Sequence, residues 1–108
     1  MGLFTRTQPI DAGGAADLLA ARSAVAVDVR EHSEWNTGHI RGAIHIPLGQ
    51  LSGRLAQLPS GKTIVTVCQS GHRSAAAARM LTGAGHDDVL NLRGGLSAWA
   101  RAGLPLSR

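Results

Sequence analysis

Six consecutive residues, Cys68-Gln69-Ser70-Gly71-His72-Arg73, combine a thiol, two small residues, an imidazole and a guanidinium. Cys68 is the only cysteine in 108 residues. An isolated cysteine is most often a small buried hydrophobe, but the flanking sequence argues otherwise. Thr63-Ile64-Val65-Thr66-Val67 before it is an apolar, β-branched run that reads as a strand buried on both faces. Ser74-Ala75-Ala76-Ala77-Ala78-Arg79-Met80-Leu81 after it is a run of strong helix formers. The cysteine is therefore expected at the carboxyl end of a strand, on a tight loop that opens a helix. Loop amides from Gln69 to Arg73 can then turn inward around the sulfur. The helix N-terminus and Arg73 add positive charge. Such surroundings lower a thiol's pKa and present a thiolate, the nucleophilic form. The same concave set of donors suits small anions.

The elements that must position this loop follow from the rest of the chain. Residues 7–10 read as a short first strand, and Asp11 as the cap of a helix through Leu18-Leu19-Ala20-Ala21. Gly13-Gly14 weakens that helix. Ala24-Val25-Ala26-Val27-Asp28-Val29 is a buried strand ending in polar Asp28 and Arg30. Glu31 to Trp35 reads as a short helical turn broken by Gly38, and Ala43-Ile44-His45-Ile46 as a strand closed by Pro47. Leu48, Leu51, Leu55 and Leu58 mark one helical face. Gly83-Ala84-Gly85 stops the helix after the cysteine loop. Val89-Leu90-Asn91-Leu92 is a further strand, and Arg93-Gly94-Gly95 turns into a last helix, Leu96 to Ala102, with Trp99 inward. Strands alternating with helices predict parallel βαβ units. Ligands of such sheets bind at the strands' carboxyl ends, where Cys68 is expected.

Bulk properties narrow the function. The length suits one domain. Three aromatics (Phe4, Trp35, Trp99) leave the core to Val, Ile, Leu and Ala. Net charge is +4, and ten of the eleven basic residues are arginines scattered along the chain. A nucleic-acid reader would concentrate its charge and offer stacking surfaces, so no nucleic-acid partner is expected. Small anionic substrates suit the charge better. One cysteine excludes an intramolecular disulfide and a cysteine-rich metal site, and the histidines lack ligand spacing, so no metal is expected. No apolar stretch approaches the roughly 20 residues of a membrane span. The start, Met1-Gly2-Leu3-Phe4-Thr5-Arg6, lacks a signal-peptide core and the myristoylation pattern. A reducing cytoplasmic setting is the expectation.

The stretch Cys68-x-x-Gly71-x-Arg73 resembles the active-site loop of the rhodanese (sulfurtransferase) family. Three further stretches resemble the family in the same order. They are Val27-Asp28-Val29-Arg30, Gly38-His39-Ile40-Arg41-Gly42-Ala43, and Gly94-Gly95-Leu96-Ser97-Ala98-Trp99 ahead of Gly103-Leu104-Pro105. The resemblance implies an α/β fold, a single rhodanese-like domain over 1–108 with a core of about 8–106. Its central parallel β-sheet would be flanked by α-helices on both faces. It also implies a sulfurtransferase in which Cys68 takes a sulfane sulfur, carries it as a persulfide, and passes it to cyanide, a thiol or a protein cysteine. No cofactor is implied. Gln69, Ser70, Gly71, His72 and Arg73 would form the substrate-binding loop, supported by Asp28, Arg30, Glu34 and Ser74.

Roles within that set divide. Asp28 either accepts hydrogen bonds that hold the loop or is ordinary strand-end polarity; the first is favoured. Arg73 either reaches the substrate anion or pairs with an acid such as Glu34 and stiffens the loop; the internal role is favoured. His72 lends partial charge or touches substrate, and His39 fixes a turn. His32, His45 and His86 have no motif support. A Cys–His pair of protease type is disfavoured, because persulfide transfer has no amine leaving group to protonate. Gln69 stands where many family members active on thiosulfate carry Arg, which points toward a neutral-flanked donor such as a low-molecular-weight persulfide. Trp35 stands where Tyr or Phe is usual. Two other classes compete: a non-catalytic rhodanese-like interaction or sulfur-carrier module, and a small phosphatase or arsenate reductase. The latter use a loop with one more residue between Cys and Arg.

Overall fold

A computed structural model describes residues 7–108. The initial segment, with Phe4 and the leader-peptide question, lies outside the described residues. Five strands form one sheet: β1 (Gln8–Ile10), β2 (Ala24–Asp28), β3 (Ile44–His45), β4 (Thr63–Val67) and β5 (Val89–Leu92). Their order is β1-β5-β4-β2-β3, and every pairing is parallel. Four helices connect them: α1 (Ala12–Ala20), α2 (His32–Trp35), α3 (His72–Gly83) and α4 (Gly95–Arg101). The chain is thus the α/β domain with a central parallel sheet that the strand–helix alternation predicts.

The apolar runs explain the layers. β2 and β4 lie at the centre and are buried on both faces, so their sequences run nearly unbroken in Val, Ile and Ala. Side chains alternate across the sheet. Val27, Val29 and Ile64 pack with Ala77, Ala78 and Leu81 of α3 on one face. Ala24, Ala26, Val65 and Val67 pack with α1 and with Leu96 and Trp99 of α4 on the other. Cys68 continues the alternation of β4 and falls on the α3 face.

Local chemistry sets the ends. The Asp11 carboxylate caps α1 by accepting from the Gly14 amide at 2.7 Å. That cap, with Ala12 and Ala15 buried beneath it, overcomes the poor propensity of Gly13-Gly14. The leucine stretch departs from expectation. It forms two 3₁₀ turns, Leu48–Gly53 and Leu55–Gln57, broken at Arg54 (φ −127°), rather than one α-helix. Gly49 and Gly53 are poor α-formers. The spacing of three between Leu48 and Leu51, and between Leu55 and Leu58, matches a three-residue turn, so all four still reach the core. α3 begins at His72, three residues before the alanine run, and so takes His72 and Arg73 into its first turn.

Candidate functional site

The six-residue stretch joins β4 to α3, with β5 and β2 on either side. Gly71 caps α3 in the left-handed region (φ 105°), which glycine adopts without penalty. A Cβ there would also lie 3.4 Å from the Gly94 amide nitrogen.

Two α4 amides shape the loop from outside. Leu96 N donates to the Cys68 carbonyl at 2.9 Å and Ser97 N to the Gln69 carbonyl at 3.1 Å. The peptide unit is planar and trans, so a carbonyl held outward turns the next N–H inward. Gln69 and Ser70 amides therefore face the concave side. Such close approach requires glycine at 95. A Cβ on Gly95 would sit 2.5 Å from the Cys68 oxygen and from the Gln69 carbonyl carbon and oxygen. Asn91 Nδ2 donates to the Gly71 carbonyl at 3.2 Å. Thr66 Oγ1 donates to the Ser74 carbonyl at 2.9 Å, tying α3 to β4.

The sulfur lies inside this cradle. Gly71 N donates to Cys68 Sγ at 3.0 Å, and Ser74 Oγ lies 3.3 Å away. Burial pushes the thiol pKa up. Hydrogen bonds from the Ser74 hydroxyl and from the Ser74, Gly71 and Ser70 amides more than offset it, leaving the thiol below its ordinary value. The electrostatic expectation thus has its geometry. The expected exposure does not: Cys68 is 0% exposed. Its side chain follows the strand alternation inward, and the loop closes over it.

Around the cradle, Arg73 pairs bidentately with Glu34, at 2.6 Å to Oε1 and 2.8 Å to Oε2. The Arg73 hydrogen bonds hold the Glu34 carboxyl down at about 2, and Glu34 raises Arg73 above its ordinary value. Arg73 therefore stiffens the junction of α2 and α3, the internal arrangement favoured from the sequence. Gln69 Nε2 donates to Ser97 Oγ at 3.1 Å, and Ser70 Oγ lies 3.1 Å from His72 Nδ1 on the exposed rim.

Asp28 corrects the sequence reading. It does not hold the cysteine loop. Its carboxylate takes the Arg30 side chain at 2.9 Å to 3.1 Å and the Arg30 amide at 3.0 Å. Arg30 Nη2 then donates to the Gly38 carbonyl at 2.7 Å. With the two residues 1% and 2% exposed, this is a buried pair that fastens the Gly38-His39 segment, and not solvated strand-end polarity. His39 does fix that turn: its Nδ1 lies 3.0 Å from the Trp35 carbonyl oxygen, and its ring stacks on Trp35 at 3.6 Å. His45, without motif support, also stacks on Trp35, at 4.7 Å, and lies 2.8 Å from the Arg30 carbonyl oxygen through Nε2.

Four supports of the loop escaped the sequence reading: Thr66, Asn91, Gly95 and Ser97. Gly94-Gly95 was visible as a motif, but its contact with residues 68–69 spans more than 25 positions of sequence. Among the described residues, no cluster of His, Cys, Asp and Glu is arranged to hold a metal. Nor is any helix long and apolar enough to cross a membrane.

Comparison with known proteins identifies the family. The family model for the rhodanese-like domain matches residues 11–102. A protein of Allochromatium vinosum named a sulfurtransferase is 41% identical over 80 residues, covering 74% of this chain and 75% of that one. A Bacillus subtilis protein named a putative sulfur carrier is 40% identical over 73 residues, covering 68% of this chain and 40% of that one. Several other relatives are longer, and the chain spans 45% to 62% of their length. The crystal structure of a rhodanese-related protein from Thermoplasma volcanium superposes with a TM-score of 0.86 at 29% identity, covering 93% of this chain and 97% of that one.

Proposed function

We propose a function from this premise: the chain belongs to the rhodanese-like domain family. In our reading it is a sulfurtransferase of one domain, with a core of about residues 8–106, that works by double displacement at Cys68. The Cys68 thiolate attacks the sulfane sulfur of a donor. The Sγ–S bond forms, the donor's bond to that sulfur breaks, and the remainder leaves with the bonding pair. The outer sulfur of the Cys68 persulfide is then attacked by cyanide, a thiol or a protein cysteine, which regenerates the thiolate. Thiolate and persulfide are both anions, so one set of donors stabilises both without proton transfer. The observation that carries this reading is the Gly71 amide on Sγ at 3.0 Å. A reducing cytoplasm is the setting that keeps such a thiol free.

Contacts at the rim support a choice of donor. Arg73 is committed to Glu34, and Gln69 to Ser97. Neither supplies a free cation for the dianion of thiosulfate. A low-molecular-weight persulfide is therefore the preferred donor over thiosulfate. Incubation with glutathione persulfide or with thiosulfate, followed by intact mass, tests both points. Cys68 gains one sulfur atom, faster from the persulfide, and Cys68→Ser gains none. A Cys68→Ser protein that transfers sulfur at the normal rate refutes the assignment. The six-residue spacing from Cys68 to Arg73 disfavours a phosphatase, which would turn over an aryl phosphate and gain no sulfur.

A carrier role is the second reading, favoured by the fully covered Cys68. A carrier forms the persulfide but shows no repeated turnover with cyanide or small thiols.

A further inference from the structure

We propose that an apolar groove on the α1/α4 face, at the end of the sheet away from Cys68, binds an aliphatic carboxylate of medium to long chain. The groove has a volume of about 680 Å³, within the range of small-molecule sites. Ala16 and Leu19 of α1, Ile40, Trp99 of α4, Leu104 and Pro105 line it. Four of the residues lining it from α1 and β2 are alanines, Ala16, Ala20, Ala24 and Ala26, which leave space beside Leu19 and Val25. The Trp99 indole N–H and the Pro105 carbonyl, both in the lining, are paired with each other at 2.9 Å.

Three cations border this apolar surface: Arg22, Arg41 and Lys62. Arg22 closely precedes β2 and Lys62 immediately precedes β4, while Arg41 lies just before β3. In an all-parallel sheet these positions share the amino-terminal edge. Cys68 follows the other end of β4, about 16 Å away along a five-residue strand. Among the described residues, no carboxylate lies within salt-bridge distance of any of the three. Asp87 and Asp88 line the neighbouring polar hollow, which Lys62 also borders, but Asp88 is engaged by Thr63 Oγ1 at 2.6 Å.

Arg22 carries a further signal. It is the only non-glycine residue among those described with positive φ, at 58°. It follows the C-cap of α1, where Ser23 N donates to the Leu18 carbonyl at 2.9 Å. Glycine is the usual occupant of that position. A guanidinium is held there at a backbone cost, directly beside an apolar groove. Strain of this kind is concentrated at ligand sites. Apolar walls with unpaired cations at one rim fit an alkyl chain ending in a carboxylate. A protein partner needs about 800 Å² of buried surface on each side to hold stably, whereas an alkyl chain needs only the groove itself.

The test is a titration with sodium decanoate, below its micelle concentration, followed by amide and indole ¹H–¹⁵N shifts of the whole chain. Saturable shifts are expected at Leu19, Ile40 and the Trp99 indole N–H, with none at residues 68–73. The double variant Arg22→Gln/Lys62→Gln, both exposed positions, is expected to weaken binding at least tenfold while keeping the wild-type spectrum. Ala20→Leu is expected to block binding by filling the groove. Decyltrimethylammonium, the same chain with the opposite charge, is expected to leave these residues unshifted. The proposal is overturned if decanoate gives no saturable shifts, or if the cationic amphiphile moves the same residues equally. It is also overturned if an acidic amphipathic peptide binds them more tightly than decanoate.

Discussion

Replacing Gly95 with alanine should cost more than the same change at any other described glycine. Two effects add. Gly95 has φ 60°, and an L-residue there costs roughly 1–2 kcal/mol. The new Cβ would also lie 2.5 Å from three backbone atoms of Cys68 and Gln69, which cannot swing aside as a side chain would. Relief requires moving α4 off the loop. That breaks Leu96 N to Cys68 O and Ser97 N to Gln69 O, at about 1 kcal/mol each. The sum is roughly 3–4 kcal/mol, a fall in Tm on the order of 15 °C for a domain of this size. Gly103→Ala is the control. Gly103 has φ 77° but no atom within 4 Å of its would-be Cβ, so it carries the backbone cost alone, roughly 1–2 kcal/mol. Urea denaturation measures the difference. The second readout is the pH profile of Cys68 alkylation by iodoacetamide. If α4 turns the Gln69 and Ser70 amides toward the sulfur, loosening α4 raises the thiol pKa in Gly95→Ala and leaves it unchanged in Gly103→Ala. Equal stabilities for the two variants, or identical alkylation profiles, refute the claim that α4 shapes the cradle.

Three other perturbations read single contacts. Ser74→Ala removes the hydroxyl 3.3 Å from Sγ. Losing one hydrogen bond to a charged group, about 1.5 kcal/mol, should shift the alkylation profile upward by about one pH unit and slow sulfur uptake on intact mass. Glu34→Gln unpairs Arg73, at a cost near 1 kcal/mol because the pair is partly exposed. Its pH dependence has a definite sign: Glu34 is depressed from 4.5 to about 2, so the stabilisation is complete above 4.5 and disappears as pH falls toward 2. The stability gap between wild type and Glu34→Gln should close over that window in acid denaturation curves. Asp28→Asn leaves Arg30 charged and buried, so it should destabilise by about 3–5 kcal/mol in urea. The Asp28→Asn/Arg30→Met double variant should recover part of that loss.

What could be read from residues alone was what neighbours in sequence decide. The β-branched run into Cys68, the glycine at 71 and the alanine helix behind it are local. Together they placed the sulfur at a strand end with amides around it. The Glu34–Arg73 pair was within reach because a helix-start arginine needs a carboxylate and few were available. Three things lay outside such reasoning. The leucine spacing of 3, 4 and 3 fits an α-helix, and only the glycines between, with the break at Arg54, turn it into two 3₁₀ turns. Asp28 sits one register position from the cysteine, opposite Val67. Its partner was set by Arg30, which reaches it within two residues and buries with it. Burial of Cys68 itself was legible in principle, since strand alternation puts it on the face of Ile64; the loop chemistry obscured that parity.

That last point bears on how the cradle works. The loop sequence points to an exposed thiolate, whereas here burial opposes the electrostatics. Burial alone would raise the pKa of Cys68 and make it inert. Four hydrogen-bond donors reverse that, and each has a structural reason to point at the sulfur. Gly71 takes a left-handed turn, α4 holds two carbonyls outward, and Thr66 holds Ser74 against β4. In a low-dielectric site every such donor counts for more than it would in water. A covered thiolate is also protected from adventitious oxidants, which attack exposed thiolates first. On the proposed function, an added sulfur would place the reactive atom one bond length beyond Sγ. In this reading the depth of Cys68 makes the persulfide, rather than the resting thiolate, the form that a partner meets.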